Sequence, residues 1–182
     1  MRVLVLFVAL AACRPEKVVI PHDHSRPVNP EVNHEVGSTA PESSVVHARD
    51  GSNVELADLW AKKRVVLVFY MGHWCPHCQK QLGDLNEHQR DFVDATVIGV
   101  SSDTPDDAGA LHDKLGLVFD IYSDADLSVI GRWGVADYGA SIAKPATFVI
   151  QPGGQITFQK IGASQTDRPT VDELIAAAKP RP

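Results

Sequence analysis

The chain has 182 residues, 44% hydrophobic and 22% charged, with a formal net charge of −6. Such values suit one globular domain with extensions. The acidic balance excludes the cationic footprint of a nucleic-acid binder, and no apolar run reaches the roughly eighteen residues that a membrane-crossing helix needs.

The N-terminus reads as an export signal. Met1-Arg2 supplies a positive charge, residues 3–12 are apolar, and Leu10-Ala11-Ala12-Cys13 closes the run. Leu-Ala-Ala-Cys resembles the lipobox of bacterial lipoproteins. The resemblance implies a signal peptide over residues 1–12 and lipid attachment at Cys13; an ordinary signal peptide that contains a cysteine is the alternative. Arg14, standing where an inner-membrane retention aspartate would be, points to the outer membrane. Residues 13–42 are expected to be a lipid-anchored linker, because Pro15, Pro21, Pro27, Pro30 and Pro41 interrupt regular structure and apolar residues are sparse. Extended at ~3 Å per residue, it would reach ~80 Å from the membrane. His22, His24 and His34 are read as incidental histidines of that linker, with His47 just beyond it, since neither a cysteine nor a fixed scaffold accompanies them.

The folded domain is expected over residues 43–182. Residues 45–48 and 53–55 flank Asp50-Gly51 and predict a β-hairpin. A short helix follows over 56–60, then a continuous apolar run over 65–70, the mark of a strand covered on both faces. A helix is expected from the cysteine motif to Phe92, with Leu82, Leu85 and Phe92 on its buried stripe. Further predicted elements are a strand over 95–100, a helix from Thr104-Pro105 to Leu115, and a strand over 118–122. A helix capped by Asp124 and ended by Gly134 comes next. The chain closes with a hairpin turning at Pro152-Gly153-Gly154 and a helix over 169–178. Strands alternating with helices and closed by a hairpin specify an α/β architecture.

Trp74-Cys75-Pro76-His77-Cys78 lies where the first buried strand gives way to a helix. The thiolate is the reactive form of cysteine, and a helix N-terminus favours it through its unpaired N–H groups. Pro76 fits the first helical position, and His77 adds a polar neighbour. A stabilised thiolate makes the disulfide the stronger oxidant. Cys75, expected at an exposed tip, is assigned the attack, and Cys78, one turn in, the resolution, so the pair alternates between dithiol and redox disulfide. Zinc would need two more ligands, and a second cysteine pair does not exist; His73 or His77 would crowd the same loop. A structural disulfide across so short a loop would constrain little.

The order of elements, the Cys-x-x-Cys junction and Pro145-Ala146-Thr147-Phe148-Val149-Ile150 before a late strand resemble the thioredoxin-like superfamily. The implied fold is α/β, with a central mixed sheet flanked by helices and an N-terminal β-hairpin. Two branches compete: exported thiol-disulfide oxidoreductases of the TlpA/ResA kind, and the AhpC/TSA or peroxiredoxin-like branch of antioxidant enzymes. The segment from Phe69 to Cys78, Gln81-Leu82 and Val97-Ile98-Gly99-Val100-Ser101-Ser102-Asp103 resemble the second. The superfamily implies a cis Pro145 opposite the cysteines, with backbone groups of Lys144 pairing with an extended substrate, and Trp74 as a shield or substrate surface.

Peroxiredoxin-like chemistry would make Cys78 the attacking thiol and put Cys75 in the place of the family's threonine. The position of its arginine is Pro145, which leaves Lys144 and Arg132 as stand-ins. The oxidoreductase branch is matched imperfectly too: Gln81 stands where a glutamate is frequent, and the strand over 65–70 offers no buried acid. His73 and His88 are read as surface or packing residues; Asp103, Asp106, Asp107, Asp113, Asp124 and Asp126 as caps and solvated faces. The leading expectation is therefore an exported thiol-disulfide oxidoreductase facing the periplasm or outer cell envelope. A peroxidase is the alternative, and a metal-handling lipoprotein of the same fold a third. Protein thiols, disulfides or a peroxide are the expected partners, with a redox protein to recycle the pair. No cofactor, metal or nucleic acid is implied.

Overall fold

The structure is a computed structural model that describes residues 34–180. The signal over 1–12, lipid attachment at Cys13, His22, His24 and most of the expected linker lie outside the described residues.

The described body begins before Ser43. Gly37 and Ala40 donate backbone hydrogen bonds to the carbonyls of Ile156 and Gly154, and Thr39 bridges Gln155. His34, read as a solvated linker histidine, is buried; its ring lies 5.0 Å from Trp133 and its Nε2 is 3.0 Å from the Arg132 carbonyl. The prolines upstream gave no hint that a segment this polar lies across the edge of a sheet.

β1 (Val45–His47) and β2 (Asn53–Glu55) form the expected hairpin, with Gly51 at φ +79° in its turn. α1 (Ala57–Trp60) leads to β3 (Arg64–Phe69), whose residues are all buried. α2 (Pro76–Glu87) stops earlier than expected: the backbone leaves the helix at His88 and turns through a 3₁₀ segment, Gln89–Asp91, before Phe92 is buried. β4 (Ala95–Ser101) and α3 (Pro105–Leu115) follow, α3 capped by Thr104 and ended by Gly116 in the left-handed conformation. β5 (Ile121–Ser123) starts later than expected, because Val118 is exposed and its N–H is bound by the Asn86 side chain, away from the sheet. Asp124 accepts the N–H groups of Val129 and Ile130 at the start of α4 (Ser128–Arg132).

A small hairpin, β6 (Ala136–Asp137) with β7 (Ile142–Ala143), precedes the last two strands and was not foreseen. β8 (Ala146–Ile150) and β9 (Ile156–Ile161) pair as expected, and α5 (Val171–Ala177) closes the domain behind a Thr170–Glu173 capping box. The seven strands of the sheet run in the order β2-β1-β5-β4-β3-β8-β9. β3 pairs in parallel with β4 and antiparallel with β8, so the sheet is mixed, as the resemblance implied.

Side chains alternate across β3 and divide the core. Val65, Leu67 and Phe69 meet Trp60, Trp133 and Phe148 on one face. Val66, Val68 and then Tyr70 meet Cys75, Cys78 and Leu82 on the other, under α2, α3 and α5.

Candidate functional site

The site is built where β3 ends. Tyr70 adds one more sheet hydrogen bond, its N–H donating to the Val100 carbonyl, and the chain then turns away through Met71-Gly72-His73-Trp74. Asp103, from the neighbouring end of β4, fastens this turn. Its Oδ2 accepts the His73 N–H and the Ser101 hydroxyl, each at 2.8 Å, and its Oδ1 lies 2.8 Å from His73 Nδ1. Gln79 secures the other side by donating to the His73 carbonyl. Asp103 is therefore a buried anchor rather than a solvated helix-end residue, and His73 is its partner rather than a bystander.

Cys75 occupies the N-cap of α2, and Pro76 stands at the first turn as expected. Cys75 Sγ accepts the Cys78 N–H at 3.3 Å. That bond turns the Cys75 side chain inward over the helix end. The exposed tip expected for this sulfur is therefore absent: both cysteines are free thiols at 0% exposure. Trp74, at 53%, Pro76 and His77 are the exposed members of the motif.

Cys78 has a cationic partner that the sequence did not single out. Arg168, from the loop between β9 and α5, donates from Nη2 to Cys78 Sγ at 3.2 Å and from Nη1 to Gln81 Oε1. Burial pushes the Cys78 thiol up to about 11, and the hydrogen bond with Cys75 adds to that; Arg168 and a backbone hydrogen bond from Met71 pull the other way. The guanidinium thus sits where a sulfur anion would form in a desolvated site. Beside it a groove of about 180 Å³ runs along α2, with Leu85 and Leu174 on its floor and His77, Lys80 and Thr166 at its rim.

The two stand-ins for that arginine have other work. Arg132 donates to the Ser43 carbonyl at 2.6 Å. Lys144 is exposed, and its backbone N–H is taken by the Val135 carbonyl at 2.7 Å, which leaves that donor unavailable to an extended substrate. The Lys144–Pro145 peptide is trans, against the cis isomer that the superfamily implied. Pro145 is buried and serves as the entry to β8, its carbonyl accepting the Gly162 N–H.

Arg168 was missed because its partners lie about ninety residues away in sequence and no local motif marks it. Asp103 carried a usable signal. It closes the Val97–Asp103 segment on which the AhpC/TSA resemblance rests, and a carboxylate ending a buried strand calls for a partner.

The chain is similar to known proteins over most of its length. The family model described as AhpC/TSA matches residues 36–159. A protein of Mycobacterium tuberculosis named as a peroxiredoxin is 33% identical over 138 residues, covering 71% of this chain and 87% of its own. The thiol-disulfide oxidoreductase ResA of Bacillus anthracis is 29% identical over 131 residues, covering 70% of each chain. Among solved structures, the peroxidoxin BcpB of Mycobacterium tuberculosis superposes with a TM-score of 0.71 at 22% identity, covering 80% of this chain and 97% of that one. The fold is accordingly thioredoxin-like, and the relatives in both branches are oxidoreductases. On the extent of the family match, this chain belongs to the AhpC/TSA family of oxidoreductases.

Proposed function

We propose that the protein is a thiol-dependent peroxidase in which Cys78 attacks the peroxide and Cys75 resolves it. The observation that carries this reading is the Arg168 guanidinium 3.2 Å from a Cys78 sulfur with no exposed surface. Exchange with a protein disulfide needs an accessible sulfur. Hydrogen peroxide is little larger than water and can enter through a small local opening. Arg168 would hold the thiolate and then the peroxide oxygens as charge moves onto them; a charge-assisted hydrogen bond of about 1.5–3 kcal/mol corresponds to roughly 10–100-fold in rate.

The first step forms an S–O bond and breaks the O–O bond. Cys78-SH and ROOH give Cys78-SOH and ROH, with the sulfur oxidised by two electrons. Cys75 then attacks the sulfenic sulfur, releasing water and leaving a Cys75–Cys78 disulfide. An external dithiol returns the pair to the reduced state, and no further cofactor is required. Trp74, half exposed beside the pair, offers a surface for that reductant.

The second reading is thiol-disulfide exchange led by Cys75. It is favoured by the position of Cys75 at the N-cap of a twelve-residue helix and by the likeness to ResA. For either activity we infer export and lipid anchoring at Cys13, supported by the apolar run and the Leu-Ala-Ala-Cys sequence.

Peroxide consumption with a dithiol reductant separates the two. The single-turnover reaction of the Cys75→Ser chain should persist and that of Cys78→Ser should vanish. Rapid exchange with a protein disulfide by Cys78→Ser, with no peroxide turnover in the native chain, would favour the second reading.

A further inference from the structure

The guanidinium of Arg168 is held by three neutral acceptors. Its Nε donates to the Gln165 carbonyl at 2.9 Å, its Nη1 to Gln81 Oε1 and its Nη2 to Cys78 Sγ at 3.2 Å. Gln165 belongs to the arginine's own loop. Gln81 does not: it stands on α2, three residues after Cys78 and so on the same face of the helix. Gln81 is only 8% exposed, and in such a desolvated place both hydrogen bonds and charges act strongly.

Among the described residues no carboxylate is paired with Arg168. Two acids lie near enough in the fold to have served. Asp84 lines the same groove, but its two oxygens accept from Lys80 at 2.8 and 2.7 Å. Asp167 directly precedes Arg168, but its carboxylate takes Lys160 at 2.7 Å and the Ala163 N–H at 2.9 Å. Each acid has a cation of its own, and the arginine is left with an uncompensated charge beside a sulfur. The titratable groups packed in the same core layer as that sulfur, Cys75 and Tyr70, carry no charge while protonated. His77 and Lys80 are exposed at the rim of the groove.

We propose that Gln81 decides the role of Cys78: it is a positioning residue whose neutral amide orients Arg168 and leaves the arginine's charge to the Cys78 sulfur. The inference rests on the reading of Cys78 as the attacking thiol and names what makes it one. Glutamate has nearly the same shape and would accept the same hydrogen bond. It would also neutralise Arg168 in a desolvated pair and set a negative charge one turn from the sulfur. Both effects keep the proton on Cys78. A thiol held in that way serves to resolve; a thiol facing an uncompensated cation attacks.

The test uses the full chain with Cys13→Ser and Cys75→Ser, so that Cys78 alone reacts, mixed rapidly with hydrogen peroxide between pH 6 and 10. Gln81→Glu should slow Cys78 oxidation about tenfold at pH 7 and displace the pH–rate curve upward by about one unit. Gln81→Met is neutral but lacks the acceptor. It should slow the reaction only about threefold, through a looser arginine, with the curve in its native place. A glutamate chain with the native rate and curve would overturn the proposal, since holding the arginine would then be all that Gln81 does. A methionine chain displaced by a full unit would overturn it too, and that result is readable even if the glutamate chain does not fold. Methyl methanethiosulfonate, a small neutral reagent that captures the thiolate, repeats the series without peroxide. If peroxide oxidises none of the chains, the peroxidase reading fails alone, and the same displacement with this reagent upholds the role of Gln81. Coincident curves for the native and glutamate chains with this reagent would overturn that role.

Discussion

The two faces of β3 are drawn from one continuous apolar run, yet they are used in opposite ways. On one face Phe69, Trp133 and Phe148 pack with ring centroids 4.8–6.0 Å apart, and Trp60 adds an edge contact. Trp133 and Phe148 are completely buried there. On the other face the strand ends in Tyr70 and meets two thiols, a carboxylate and a guanidinium within the same layer. The first face gains apolar burial and aromatic contact with few polar atoms to satisfy. The second leaves a buried hydroxyl unpaired and a thiol beside a cation. A strand buried on both sides lets stability concentrate on one face while the other carries a costly reactive arrangement.

Substitutions can break that division, and the largest effects are expected where each face is most committed. Cys78→Ser should lower peroxide consumption by about a thousandfold or more, measured with excess dithiol reductant, since the nucleophile itself is lost. Trp133→Ala should cost about 3–5 kcal/mol in urea unfolding. The peroxide rate per folded molecule should stay within about threefold of native, because no reacting group lies on that face. Arg168→Ala should slow Cys78 oxidation by roughly 10–100-fold. Arg168→Lys should recover only part of the rate, since an ammonium cannot hold Gln81 and the sulfur with a planar fork.

Titration sharpens the same contrast. Burial raises Cys78 from an ordinary 9.0 to about 11, so the folded state binds its proton more tightly than the unfolded one. The resulting stability is fully present below about pH 9 and is lost as pH rises toward about 11. A decline of about 1–2 kcal/mol by pH 10.5 is expected from this group, and Cys78→Ala should lack it. Tyr122, raised to about 12 by burial and by Asp120, adds its own decline only above pH 10 and is common to both chains. The smallest effect is expected from Thr170→Ala. Loss of the capping box at α5 should cost about 1 kcal/mol. Because Thr170 follows Arg168-Pro169, the peroxide rate should also fall a few-fold as the arginine loop loosens.

Much of this division was legible in the sequence. The run over 65–70 announced a strand covered on both faces, and the structure then places Phe69 and Tyr70 in opposite halves of the core. The Asp50-Gly51 hairpin, the Thr104-Pro105 helix start and the helix end near Leu115 all follow from local backbone chemistry. The Cys-Pro-His-Cys segment was visible as the N-terminus of a helix for the same reason. What escaped notice depends on distance along the chain. Arg168 meets Cys78, and His34 meets Trp133, across roughly a hundred residues, and no spacing rule encodes either contact. The burial of Cys75 escaped for a local reason, since the direction of a cap side chain is decided by which N–H it accepts. Pro145 was read through a family habit, and the structure shows its peptide trans.

The most direct test of the account is to find which sulfur takes the peroxide oxygen. The full-length chain, reduced and then treated with one equivalent of hydrogen peroxide in the presence of a sulfenate-trapping reagent, should yield the trapped adduct on Cys78 by peptide mass spectrometry, and Arg168→Ala should reduce its yield. An adduct confined to Cys75, or a chain inert to peroxide that exchanges rapidly with protein disulfides, would contradict it.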